Sequence, residues 1–364
     1  MPSPSCLFFV GTYTRNNDSA GIYVYELDAD TGELTFLSDT RDMVSNPSYL
    51  AFHPSGNYVY SVAEISEHEG QSGGAVAAFE LDPRTGALTL LNQQSAGGPG
   101  PCYVSVDKTG RYAFVANYSG GSVAMLPIQE DGSLQPPSSF HQHEGGAMAD
   151  PRRQENAHAH CIYPDPTNQY AFVPDLGMDK VVAYKLDLAQ GKLVRHEAGD
   201  GEVPAGAGPR HFVVHPNQRW AYVINELAST ITAYRFDAEA GTLTPIETIN
   251  ALPEDWVGKS YCADVHISPS GKFLYGSNRG HDSIVVCAID QETGALTAIQ
   301  HEWTRGEFPR GFDLDPSGTF LFAANQNTDN IATYRIDAET GKLTFTGQML
   351  ELPIPVCIKM LPIG

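Results

Sequence analysis

No Cys-x-x-Cys pair, no run of basic residues, no stretch approaching 18 consecutive apolar residues and no convincing helical period occurs in the 364 residues of this chain. Each absence excludes something. Without close pairs, the six cysteines (6, 102, 161, 262, 287 and 357) read as reduced, buried thiols rather than a disulfide framework or a zinc site. Cations are scarce: 22 Lys and Arg against 43 Asp and Glu leave a net charge of −21, which excludes nucleic acid and anionic membrane surfaces as partners. Any anionic ligand therefore needs a local cationic pocket. Lacking a long apolar run, the chain has no candidate membrane span. The opening "MPSPSCLFFVG" carries no positive charge ahead of its short apolar run, so it is not read as a secretory signal and a cytoplasmic location is expected.

What is present is repetition. A turn signal recurs as "DADTGEL" at 28, "DPRTGAL" at 82, "QEDGSL" at 129, "DLAQGKL" at 187, "DAEAGTL" at 237, "DQETGAL" at 290 and "DAETGKL" at 337. Each supplies a glycine where a hairpin loop needs positive φ, with alternating apolar residues on both sides. The glycines stand 46 to 59 residues apart. A second signal, such as "HPSGNYVYSV" at 53 and "DPSGTFLFAA" at 315, precedes most of them by about 25 residues. Each unit thus holds four short strands joined by tight turns, the signature of propeller blades. The first copy lacks its opening strand, and "PVCIKML" at 355–361 matches that slot. The sequence therefore predicts one all-β domain over 1–364, a seven-bladed β-propeller of four antiparallel strands per blade, closed when the C-terminal strand completes the first blade.

In such a ring the start of each innermost strand and the end of the next meet at one mouth, where the variable loops 66–73, 141–156 and 251–259 also fall. Aligned across the copies, the second strand ends in Thr12, Ala63, Asn117, Asp175, Asn225, Asn278 and Asn325, followed by Tyr13, Glu64, Tyr118, Leu176, Glu226, Arg279 and Gln326. The innermost strands open with Ser48, Cys102, His160, Arg210, Ala263 and Arg310, with His211 and Asp264 one step in. An Asn recurring in four copies reads as a blade brace bonding backbone, and His53, His211 and His215 as packing or turn residues. Glu64, Asp175 and Arg310 are either paired structural charges in a wet channel or site residues. Residues that do not repeat are better functional candidates: His158, His160, Arg210, Glu226, Asp264 and Arg279.

At these residues the sequence resembles the bacterial lactonase-type 6-phosphogluconolactonases with a seven-bladed propeller, whose relatives include a fungal carboxymuconate-lactonising enzyme. The matching stretches are "FVGTYT" near the start, His-x-His at 158–160, "GAGPRH" at 206, "NEL" at 225, "ADVHISPSGKFLYGSNRGHDSI" at 263 and "PRGFDLDPSGTFLFAANQ" at 309. The resemblance implies a carbohydrate-metabolising hydrolase of the pentose phosphate pathway. Its substrate would be a small lactone, with or without a phosphate. The active-site residues it implies are His160, with His158 beside it, Arg210, Glu226 and Arg279. The insertion "HQHEGGAMADPRRQEN" at 141–156 departs from the family pattern.

Lactone hydrolysis needs an activated water, stabilisation of the oxyanion and a grip on the sugar. On this reading Glu226 or His160 is the base, and Arg210 and Arg279 hold the carbonyl and any phosphate or carboxylate. Asp264 orients a His or an Arg, while His158, Glu64, Arg310, Asn278 and Asn325 complete a substrate-binding set. No cofactor is expected, because no motif has metal-ligand spacing. A second reading nevertheless places a divalent cation on the oxygens of Glu226, Asp264, Asn278 and Asp175, giving a metal-assisted lactonase of unphosphorylated sugar or muconate-type lactones. A third is a propeller that binds a sugar or peptide without turning it over.

Overall fold

The computed structural model describes residues 5–15 and 18–363; Met1 to Pro4, part of the stretch read for a leader, lie outside it. Seven antiparallel sheets share the strand order expected of blades, with the third strand of one sheet also bordered by the short strand Gly201–Glu202. Their innermost strands, taken as blades one to seven, are Pro355–Ile363, Leu50–Phe52, Pro101–Val106, Tyr163–Pro164, Pro209–Val214, Tyr261–Ile267 and Pro309–Leu314. Blade one is closed as the sequence predicts: Ser5–Thr12 pairs with Pro355–Ile363, in register Phe8 to Met360 and Val10 to Ile358. Both edges of the N-terminal strand are thereby hydrogen-bonded, and no template for intermolecular pairing is left there.

The turns work as their residue types dictate. Asp28 accepts the N–H groups of Asp30 and Thr31 on its carboxylate at 2.9 Å, and its carbonyl accepts from Gly32 at 2.8 Å. Asp237 repeats the arrangement with Glu239, Ala240 and Gly241. Gly241 has φ +65, and a Cβ there would fall 2.3 Å from the ring of Tyr170 in the blade before, so backbone conformation and blade packing both demand glycine. The tyrosine in turn donates to the Glu239 carbonyl at 2.9 Å, tying one blade to the next. His53 and His215 are turn residues of the same kind, their rings reaching the Gly110 and Gly271 carbonyls of neighbouring blades at 3.0 and 2.8 Å.

Blade faces pack through alternate apolar residues. Between blades four and five, Phe172, Phe212, Val223 and Tyr234 form one buried cluster, in which Phe172 meets Phe212 at a centroid distance of 5.2 Å and Phe236 at 5.6 Å. Truncating such a side chain to Ala costs ~3–5 kcal/mol. The recurring asparagines are braces. Asn117, Asn278 and Asn325 donate to the carbonyls of Ala96, Ala251 and Thr304 at 2.8–2.9 Å, and Asn225 donates to the hydroxyls of Thr230 and Thr232.

Three local features go beyond the repeat. Loop 66–73 forms a small hairpin of Glu67–His68 with Gln71–Ser72. A 3-10 turn at Glu197–Gly199 leads into Gly201–Glu202. The innermost strand of blade four shrinks to two residues, because the preceding segment is held instead by a single bridge between Ala159 and Asp175 and by Asp175 accepting the His158 N–H.

Candidate active site at one mouth of the channel

Side chains of the innermost strands lie in tiers fixed by strand register. The mouth tier contains Ser48, Cys102, His160, Arg210 and Arg310, and the next one Tyr49, Tyr103, His211 and Asp264. The third tier, including Leu50, Val104, Phe212 and Phe312, is wholly buried and apolar.

Glu226 is the centre of the mouth. Its Oε2 receives Arg210 Nε at 3.1 Å and Arg279 at 2.8 Å, and its Oε1 receives Arg153 at 2.6 Å. Arg210, Glu226 and Arg279 are 2–5 % exposed, so this is a desolvated cluster whose charges have to be met inside the protein. Backbone meets part of the requirement: Arg279 donates to the carbonyls of Tyr261 at 3.2 Å and Cys262 at 3.0 Å, while Arg210 donates to that of Ala263. The ring of Phe308 covers Arg279 at 5.0 Å. Burial alone would raise the Glu226 carboxyl, but Arg279, Arg210 and Arg153 outweigh it and hold the group at about 2. Burial, with Arg279 and Arg310 nearby, lowers Arg210 to about 10 against the pull of Glu226. Glu226 is thus held ionised, with both carboxylate oxygens occupied by arginines. Arg210 Nη2 and Arg279 Nη1 make no hydrogen bond with any described residue.

Behind Arg210 runs a fixed relay. Arg210 Nη1 lies 3.1 Å from His211 Nε2, and His211 Nδ1 lies 2.7 Å from Asp264 Oδ1. A guanidinium can only donate, so Nε2 accepts and Nδ1–H points at Asp264, which fixes the tautomer. Burial and Arg210 push His211 down to about 3 despite Asp264, leaving a neutral ring. Asp264 therefore orients the histidine that positions Arg210, one tier below the mouth, rather than meeting a ligand there.

His160 is buried beside Cys102, with Nδ1 3.7 Å from the Cys102 sulfur and its ring edge-on to Tyr118 and His211, each at 5.3 Å. Burial, then Arg210, His211 and Arg310, hold it well below the ordinary imidazole range, so it is neutral. Its Nε2 has no hydrogen-bond partner among the described residues and keeps some accessible surface. His158 sits at the rim, stacked on Tyr118 at 4.7 Å, with Nδ1 2.9 Å from the Tyr118 carbonyl oxygen and Nε2 3.6 Å from Glu155. Glu64 accepts from Tyr13 at 2.9 and 3.1 Å and from Ser48. Arg310 lies over the Tyr13 ring at 5.6 Å and makes no ion pair or hydrogen bond with the described residues. Burial works against its charge, but Tyr13, Glu64 and Glu226 outweigh that and raise it.

Fold and site together place His160, Arg210, Glu226, Arg279, Arg310 and Glu64 around one mouth. Asn278 and Asn325 do not join them as substrate-binding groups: Asn278 spends both ends of its amide on Ala251, Ser283 and Cys262, and the free oxygen of Asn325 is sealed from solvent. The four oxygen donors proposed for a cation are likewise dispersed. Glu226 is taken by arginines, Asp264 by histidines, Asn278 by its blade, and Asp175 by His143 at 2.7 Å and by the His158 and Met178 N–H groups. Among the described residues no three His, Cys, Asp or Glu side chains are grouped to hold a metal. Sequence reasoning missed Arg153, which also donates to the Tyr118 hydroxyl at 3.2 Å. The signal was there, as two adjacent arginines within a loop insertion of an acidic chain.

Seven four-stranded blades closed into a ring, with a buried arginine–glutamate cluster and a neutral histidine at one mouth, define a seven-bladed β-propeller with a polar channel mouth. Residues 7–360 match the family described as Lactonase, 7-bladed beta-propeller, and the chain belongs to that family. It is 39 % identical to a 6-phosphogluconolactonase of Bacillus subtilis over 97 % of both chains, and 40 % identical to one of Formosa agariphila over 80 % of this chain and 81 % of that one. Among solved structures, the periplasmic gluconolactonase of Pseudomonas aeruginosa superposes with a TM-score of 0.92 at 33 % identity, covering 99 % of this chain and 100 % of that one.

Proposed function

We propose that this protein hydrolyses a phosphorylated sugar lactone, 6-phosphogluconolactone to 6-phosphogluconate, at the Glu226 mouth. The observation that carries the phosphate is charge. At the mouth tier four guanidinium groups, from Arg153, Arg210, Arg279 and Arg310, face two carboxylates, Glu226 and Glu64, beside the neutral imidazole of His160. The excess is two positive charges in a chain whose net charge is −21. A phosphate monoester, close to dianionic at neutral pH, offsets that excess, and planar guanidinium groups suit it bidentately.

In the reaction His160 Nε2 takes a proton from water as its oxygen attacks the lactone carbonyl carbon. The unpartnered N–H groups of Arg210 and Arg279 stabilise the oxyanion, and Glu226 keeps both guanidinium groups in place. Collapse breaks the bond from the carbonyl carbon to the ring oxygen, which leaves as a hydroxyl with the proton from His160. Arg310, which makes no ion pair or hydrogen bond with the described residues, holds the phosphate together with Arg153 at the rim. Six free, buried cysteines suit a reducing, cytoplasmic setting, and no helix among the described residues is long and apolar enough to cross a membrane.

The test is acid release by the purified protein on 6-phosphogluconolactone and on unphosphorylated gluconolactone. A preference of at least tenfold in kcat/KM for the former, falling toward one in Arg310→Met, supports the proposal. Equal rates on both lactones would remove the phosphate from it, and no hydrolysis of either would sink it.

A further inference from the structure

The channel has a second chamber. Below the second tier, where Tyr49 and Tyr103 stack at 4.1 Å beside His211, a cavity of about 310 Å³ opens toward the face opposite the mouth. Its walls include Tyr163, Asp264, His266 and Lys359. Tyr163, His266 and Lys359 come from the fourth tier, the slot two beyond His211 in each innermost strand, and Asp264 from the second. Register identifies the slot, since Tyr163, Val213, His266, Asp313 and Lys359 each pair with an aromatic residue on the second strand, namely Phe172, Tyr222, Tyr275, Phe322 and Phe9. Side chains two apart share a side of a strand, so this tier is half-buried while the apolar third tier is sealed.

Three consecutive blades, six, seven and one, place titratable groups in this slot: His266, Asp313 and Lys359. His266 lies 3.2 Å from Asp264 and 3.5 Å from Asp313, between two carboxylates. Lys359 differs from both. Its ammonium stands 4.9 Å from the Tyr49 ring centroid and makes no ion pair or hydrogen bond with any described residue. Burial opposes its charge, yet Asp313 and Asp264 outweigh burial and raise it, so it is a cation. The two carboxylates, Asp264 and Asp313, are met by the Lys359 ammonium and by His266, whose proton both favour, so the chamber has little surplus negative charge to repel an anion. An unpaired ammonium in a half-buried chamber is costly unless water or a counter-ion meets it. A structural device of the repeat would recur, and this trio does not.

We propose that the chamber is a second binding site, separate from the mouth, for a small hydroxylated monocarboxylic acid. The carboxylate pairs with Lys359 Nζ, the hydroxyls meet Asp264 and His266, and the carbon backbone lies on the rings of Tyr49 and Tyr163. The volume suffices, equalling about ten liquid-water volumes at ~30 Å³ each. The site needs no lactonase chemistry, so it stands or falls apart from the function proposed above.

The probe is D-gluconate, titrated calorimetrically into the full-length protein, with sorbitol as the uncharged control. Expected is a site that survives Arg310→Met at the mouth, is retained in Lys359→Arg and weakens by roughly tenfold or more in Lys359→Met, with no binding of sorbitol. Gluconate affinity and stoichiometry unchanged in Lys359→Met would overturn the proposal, as would sorbitol binding as well as gluconate. Should Lys359→Met fail to fold, a crystal of the wild-type protein soaked in gluconate decides: a carboxylate beside Lys359 Nζ supports the site, and a chamber filled only by water overturns it.

Discussion

Arg153 and Glu226 meet at 2.6 Å across a sequence separation of 73 residues, and that contact turns a loop insertion into part of the mouth. The arginine is only partly buried, while the carboxylate it touches is sealed among two other guanidinium groups. Arg153 is therefore the most exposed arginine of the cluster and the first that a ligand arriving from solvent meets. Arg153→Ala is expected to lower kcat/KM on 6-phosphogluconolactone by about 10- to 100-fold, the equivalent of a charged hydrogen bond at ~1.5–3 kcal/mol. Steady-state kinetics with unchanged circular dichroism checks it, and a wild-type value would show that the contact is ornamental.

Glu226→Gln should act on stability as well as rate. Removing the anion leaves Arg210 and Arg279 buried without compensation, a change that costs ~3–5 kcal/mol. The pH dependence has a definite sign. Because the folded carboxyl is held at about 2, below the ordinary carboxylate value, its contribution is complete above that ordinary value, near ~4.3. It is lost as pH falls toward 2, by about 3 kcal/mol in all. Urea unfolding of the wild type from pH 6 down to pH 3 should show this loss, and Glu226→Gln should show a shallower slope; identical slopes would remove Glu226 as its source.

His160→Gln is expected to lower kcat by ~10²–10⁴ with a much smaller change in KM. Since burial and Arg210 keep the ring neutral down to well below the ordinary imidazole range, kcat/KM on unphosphorylated gluconolactone, which has no phosphate to titrate, should stay flat from about pH 6 to 8 after correction for spontaneous hydrolysis. An inflection near 6.5 would show that a group other than His160, or a solvent-exposed His160, sets the rate.

For Asn278 and Asn325 the expectation is the reverse. Alanine at either position removes a brace to Ala251 or Thr304, costing ~1–3 kcal/mol in chemical denaturation while kcat is retained in the folded fraction. A loss of kcat without a loss of stability would return them to the substrate-binding set.

Deleting residues 355–364 should be the most damaging change to the fold, because it strips one edge from Ser5–Thr12 and opens the ring. Size-exclusion chromatography is expected to show aggregate; a monomeric, folded product would mean that six complete blades close without the strand.

Much was legible in the chain because its information is periodic. Turn residues fix hairpins, hairpins fix blades, and a missing first strand at one end with a spare one at the other fixes closure; all of this follows from local backbone chemistry repeated seven times. The same periodicity separated Asn225 from Glu226, assigning the first to architecture and the second to the mouth. Charge state was not legible. Glu226 read equally well as a base until three arginines were seen around it, and His211 read as packing until its two nitrogens were found between Asp264 and Arg210. Arg153 could not be placed, since an insertion has no counterpart in the repeat and its reach depends on how the loop folds back over the rim. By itself the sequence determined the ring, its closure and which strand ends meet at the mouth. Only the tertiary structure decided which of them are anchors, donors or bases, because a side chain's charge and proton depend on burial and on neighbours brought from other blades.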